Sequence, residues 1–201
     1  LLVGLGNPGP KYAGTRHNAG EEVVVRAAER LGPIRWQDRF GGRCAEVRGP
    51  RGPLVLLIPQ TFMNLCGESV GPAAGMFRIT PREILVVHDE IDLPFGTVRG
   101  KVGGGTGGHN GLRSLRAGLG STDFSRIRVG VGRPPAEWRG DDASWVLGRF
   151  SEAPDEVEDL FRRAVAMTEV ALTDGVDAAI ARFHARPANA RRTGSGPEAA
   201  G

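Results

Sequence analysis

The sequence contains no apolar run approaching the roughly 18 residues that a membrane-spanning helix needs, so no stretch of it reads as one. LLVGLG at the start is too short, and too soon followed by glycine and proline, for the apolar core of a signal peptide. Cysteine is scarce: Cys44 and Cys66 have neither metal-site spacing nor a disulfide framework around them. Reduced, buried thiols in a cytoplasmic protein are the expectation. Acid is scarce over one long stretch. Between Phe95 and Arg133 stand seven basic residues (Arg99, Lys101, Arg113, Arg116, Arg126, Arg128 and Arg133) against Asp123 alone. That segment carries +6 and leaves −3 for the rest of a chain whose net charge is +3. A one-sign block inside a patterned region points to a polyanionic partner.

What is present suits one domain: 201 residues, 40% hydrophobic and 24% charged, with no internal repeat. Residues 1–5 read as a buried strand. Asn18 followed by Glu21 has the form of a capping box opening a helix through Leu31, whose apolar positions keep helical spacing. RCAEVR and LVLLI flank the turn GPRGP as a hairpin, and EILVVH, TVRGKV and RIRVGVG read as further strands. Helices are expected over about 64–77 and 110–119, and from an N-cap at Ser151 through two closing segments. The pattern predicts an α/β fold, a single domain with a mixed, twisted sheet flanked by helices in three layers, α/β/α. The domain is placed at residues 1–184, with a disordered tail over 185–201 that has little to bury.

Three short patterns suggest chemistry. GLGNPG at 4–9 matches the dinucleotide fingerprint, but that motif needs a helix to begin inside it. Asn7-Pro8-Gly9-Pro10 cannot begin one. GESVG at 67–71 matches the serine-hydrolase elbow, and Ser69, Asp89 and His109 follow the hydrolase order. An elbow sits at a tight strand-to-helix turn, whereas here the apolar strand ends near Ile58, well before Ser69. GKVGGGTGGHNG at 100–111 holds seven glycines in twelve residues and ends in the polar pair His109-Asn110. It lacks Walker spacing, and with Arg99 and Lys101 beside it, it reads as a binding loop in which backbone N–H groups can approach a ligand.

Polar residues also recur at expected strand ends, where α/β sheets gather ligands. These are Asn7, Asn64, Asp89 and the pair His109-Asn110, with His17 on the first loop. The segments VGLGNPGPKYAGTRHNAG, PQTFMNLCGESV, VVHDEIDLPFGTVRGKVGGGTGGHNGL and DFSRIRVGVGRP, in that order, resemble the bacterial-type peptidyl-tRNA hydrolases. The resemblance spans residues 1–184. It implies an esterase that cleaves peptide from the terminal ribose of transfer RNA, a monomer, with no metal and no cofactor. Residue by residue, it implies His17 as general base and Asp89 as its supporting acid. It further implies Asn7, Tyr12, Met63, Asn64 and Asn110 as substrate-binding, and Lys101 and Arg128 as contacts to tRNA phosphates. Cys66, where a serine is usual, and Glu21, where many members are apolar, depart from the pattern.

The residue types suit that chemistry. A histidine with an ordinary pKa of roughly 6.5 can take a proton from water, and a carboxylate fixes its tautomer. Asparagine amides pair with peptide groups through both donors and acceptors. Two alternatives follow from the residues alone: a serine esterase using Ser69, and a nucleotide- or RNA-binding module without catalysis.

Overall fold

The computed structural model describes residues 1–184, so the expected tail over 185–201 lies outside the described residues. In chain order the strands are β1 (Leu2–Gly4), β2 (Gln37–Arg39), β3 (Gly42–Gly49), β4 (Gly52–Pro59), β5 (Leu85–Glu90), β6 (Val98–Val102) and β7 (Ser125–Gly130). The helices are α1 (Ala19–Arg30), α2 (Gly67–Phe77), α3 (Asn110–Leu119), α4 (Asp142–Val146), α5 (Pro154–Asp174) and α6 (Val176–His184). Among the described residues no helix is long and apolar enough to cross a membrane.

The sheet is mixed, in the order β2-β3-β4-β1-β5-β7-β6. Its middle is parallel: β1 lies between β4 and β5, and β5 pairs with β7. Both edges turn antiparallel, through β2-β3-β4 on one side and β6-β7 on the other. The central strands are apolar on both faces because helices cover both. Leu2, Leu56, Val87 and Ile127 pack with Val24 of α1 and Leu160 and Met167 of α5. Their strand neighbours Val3, Leu57 and Val86 belong to the opposite cluster, with Val70 of α2 and Leu112 and Leu115 of α3. This is the expected three-layer α/β/α domain.

Local outcomes differ in instructive places. Asn18 does stand at the N-cap of α1, but its side chain makes no capping bond. It is engaged with Asn7 instead, as described below. Ser151 does not cap α5, which starts from Ala153 with Pro154 in its first turn. The Ser151 hydroxyl accepts from Arg16. The expected helix over 64–77 divides into a 3-10 turn at Met63–Leu65 and then α2. Two short elements, β2 and α4, carried no periodic signal: β2 is an exposed edge, and α4 is little more than one turn.

Candidate active site

The start of α1 lies directly on the ends of β1 and β5. A Cβ at Gly20 would come 2.2 Å from the Val87 carbonyl oxygen and 2.8 Å from the Leu5 nitrogen, so only glycine permits this approach. The Leu5 N–H donates to the Val87 carbonyl at 3.0 Å and the Glu21 N–H to the Leu5 carbonyl at 2.9 Å. These ties bring His17, in the 3-10 turn Arg16–Asn18, against Asp89 near the end of β5. His17 Nδ1 and Asp89 Oδ1 are 2.8 Å apart.

A second imidazole reaches the same oxygen. His109 Nε2 lies 2.9 Å from Asp89 Oδ1, and the two histidine rings are 5.1 Å apart. His109 is also the N-cap of α3, where its Nδ1 accepts from the Gly111 and Leu112 N–H groups at 3.1 and 3.4 Å. An Nδ1 that accepts leaves the proton on Nε2, so His109 donates to the carboxylate. His17 donates through Nδ1 in turn, and its Nε2 is left as the basic nitrogen.

Burial would by itself raise the pKa of Asp89, which is 2% exposed, but the two histidines reverse this and hold it well below the usual carboxylate range. For His17, burial disfavours the imidazolium, yet the charge and hydrogen bond of Asp89 outweigh it and raise the pKa. His88, the preceding residue on β5, is buried outright; burial first, and His109 second, push its pKa well down. It stays neutral, with Nδ1 on the Asp89 main-chain oxygen at 2.6 Å. His17, Asp89 and His109 present donor atoms within 4.8 Å of one another, the one such group among the described residues that could hold a metal ion. Both nitrogens sit at hydrogen-bond distance from a single oxygen, so protons account for the arrangement.

The crevice around this group has a volume of about 580 Å³. Asn7, Tyr12, His17, Met63, Asn64, Asp89 and Asn110 all line it. Asn7 is held on three sides. Its N–H donates to Asn18 Oδ1 and its carbonyl accepts from Asn18 Nδ2, both at 2.9 Å, while its Oδ1 accepts from the Met63 N–H at 2.8 Å. Asn18 Nδ2 also donates to Glu21 at 3.1 Å, so Glu21 supports this clamp. Asn64 is exposed, and Asn110 Oδ1 accepts from Arg113. Tyr12 meets Phe62 edge to face, with ring centroids 6.3 Å apart. Cys66 is buried outside the crevice lining, with its thiol on the Gly111 carbonyl at 3.3 Å, and burial pushes its pKa up to about 12.

Lys101 and Arg128 stand outside this lining, on β6 and β7. Lys101 is exposed; Arg128 donates to Glu90 at 3.0 Å. The basic segment is therefore less uniform than its sequence suggests. Arg126 is 2% exposed and donates to the Gly104 and Gly105 carbonyls, and Arg133 pairs with Asp92 and Asp142. Lys101, Arg113 and Arg116 are the exposed members without a carboxylate partner among the described residues.

Ser69 is fully buried inside α2, its hydroxyl has no partner among the described residues, and it does not line the crevice. GESVG is thus a helical segment and no elbow. Sequence reasoning passed over three contributors to the site. His109 reads from sequence as the end of the glycine loop and as the third residue of the rejected hydrolase order; histidine is not among the usual N-cap residues, so its capping of α3 carries no sequence signal. Asn18 was read as a cap. The apolar wall of Phe62, Val146 and Leu147 had no motif to reveal it, although Phe62 and Leu147 are 53% and 41% exposed.

Known proteins resemble this chain in sequence and fold. The model of the family described as peptidyl-tRNA hydrolase matches residues 1–191. The peptidyl-tRNA hydrolase of Frankia alni is 47% identical over 186 residues, covering 92% of this chain and 93% of that one. Its counterpart in Mycobacterium tuberculosis is 46% identical over 187 residues, covering 92% and 97%. The crystal structure of the Acinetobacter baumannii peptidyl-tRNA hydrolase superposes with a TM-score of 0.80 at 36% identity, covering 92% and 93%.

Proposed function

The chain belongs to the peptidyl-tRNA hydrolase family, and we propose that it hydrolyses the ester between peptide and tRNA with a water molecule activated by His17. The observation that carries this reading is the commitment of His17 Nδ1 to Asp89, which leaves Nε2 free in the crevice. Nε2 takes a proton from water as the oxygen attacks the ester carbonyl. Asp89 stabilises the imidazolium that forms, and that imidazolium then protonates the departing ribose oxygen. The products are a peptide with a free carboxylate and a tRNA with a free hydroxyl.

The tetrahedral intermediate carries an oxyanion, for which Asn64 is the proposed donor. Losing one such donor typically costs roughly 3–4 kcal/mol of transition-state stabilisation. Asn7 and Asn110 bind the peptide backbone, with Tyr12 and Met63 beside them. Outside the crevice, Lys101 and Arg128 contact the tRNA phosphates; the exposure of Lys101 supports its part. A crevice furnished by one chain supports action as a monomer, and two free buried cysteines suit the reducing cytoplasm.

Peptidyl-tRNA turnover by the wild type, His17→Ala and Ser69→Ala, each with and without chelator, tests this reading. His17→Ala should lose about 10²- to 10⁴-fold in kcat. Ser69→Ala and the chelator should leave turnover in place. Loss in Ser69→Ala alone would return the serine mechanism, and loss with chelator would give the histidine cluster a metal.

A further inference from the structure

Arg16 immediately precedes His17, and its side chain is buried, 2% exposed. The guanidinium carbon lies 3.6 Å from the centroid of the Trp145 ring and 5.5 Å from that of Phe150. Nη1 donates to the Arg149 carbonyl at 2.5 Å, and Nη2 to Ser151 Oγ at 3.1 Å and Glu152 at 3.3 Å. Nε is buried without a partner among the described residues. Its ion-pair partner Glu152 is 21% exposed, so the pair itself contributes modestly, and the orphaned Nε detracts from it. The ion pair alone does not explain this residue.

Its connections do. Trp145 belongs to α4, and that helix also presents Ala143 and Val146, with Leu147 following, to the crevice. The Arg16 N–H donates to the Gly148 carbonyl at 3.0 Å, and Thr15 forms a bridge with Arg149. One side chain thus spans the turn that carries His17 and the apolar wall opposite it.

We propose that Arg16 is a positioning residue for hydrolysis, fixing the spacing between His17 and the α4 wall so that base and bound peptide meet in register. The proposal rests on the reading of His17 as the base. Loosening the joint lets the imidazole drift from Asp89. The titratable groups facing His17 are Asp89 on β5 and His109 ahead of α3. Without a firm Asp89 contact, His17 is protonated less readily, so the acid limb of the rate profile moves to lower pH while the plateau falls.

The test is kcat, KM and the pH dependence of kcat for peptidyl-tRNA in the full chain, comparing wild type, Arg16→Lys, Trp145→Leu and His17→Ala. Arg16→Lys keeps the charge but loses the planar fork, and Trp145→Leu opens the same joint from its far side. Each should lower kcat about ten- to a hundredfold with a smaller change in KM, as misplacement near 1 Å does. Each should also shift the acid limb downward. Acid unfolding of a destabilised variant would move that limb upward, so poor folding cannot mimic a downward shift. Profiles that superimpose on wild type after scaling would overturn the proposal and leave Arg16 merely structural. Turnover persisting in His17→Ala would instead overturn the base reading beneath it.

Discussion

Two loops each deliver a histidine to the same oxygen of Asp89, and they are built by opposite means. The loop after β1 is tied by side chains: Asn18 holds both main-chain groups of Asn7, and Arg16 stacks on Trp145. The loop after β6 has almost no side chains to tie. Gly103, Gly104, Gly107 and Gly108 all take positive φ, between 55° and 88°, and the guanidinium of Arg126 grips the Gly104 and Gly105 carbonyls from below. One loop is specified by what its side chains bond to, the other by conformations that side chains would forbid. Polar ties locate an atom closely; glycine geometry chooses the path and leaves the surface open for a ligand.

Removing the point where the loops meet should have the largest effect. Asp89→Asn should lower kcat by about a hundredfold or more, since a positioned acid–base pair is worth 10²–10⁴-fold in general. The sign of its pH effect is also set. With His17 as the proposed base, the neutral imidazole is the working form, and the carboxylate raises the pKa of His17, so the wild-type rate should fall as pH drops through that raised value. In Asp89→Asn the fall should come at lower pH, read from kcat profiles. Asn18→Ala breaks the first loop. It leaves the buried Asn7 N–H and carbonyl unpaired, at about 1–3 kcal/mol for each group, and denaturant unfolding should register the loss along with a higher KM. Gly104→Ala breaks the second. With φ of +88° and a Cβ 2.8 Å from Lys101 Cε, it should destabilise by about 1–2 kcal/mol and lower turnover through His109. Lys101→Ala, at the root of the second loop, should have the smallest effect. The salt dependence of tRNA binding should lose about one unit of slope, and hydrolysis of a small ester analogue should not change.

The two loops also differ in how far they were legible. Apolar runs fixed in period revealed the central strands, and glycine density marked the second loop as a place of close approach. Long-range polar exchange was not legible. A capping box and a clamp on a residue eleven positions earlier use the same asparagine, and only the fold decides which bond Asn18 makes. Charge counting likewise flagged Arg126 with its neighbours, although packing over Phe124 turns it inward as a strut. Motif resemblance reached the crevice residues, but it could not indicate that two imidazoles share one carboxylate oxygen. That depends on α3 beginning where it does, with His109 as its cap.

Asn7 gives up its side-chain carbonyl to the Met63 N–H. What it retains toward the crevice is its NH₂, which has no partner among the described residues. With one of its two lone pairs committed and no proton of the NH₂ engaged, the amide faces the crevice chiefly as a donor. A peptide carbonyl would satisfy it. The neighbour that pins the oxygen thereby sets which half of a hydrogen bond this residue has most of to offer.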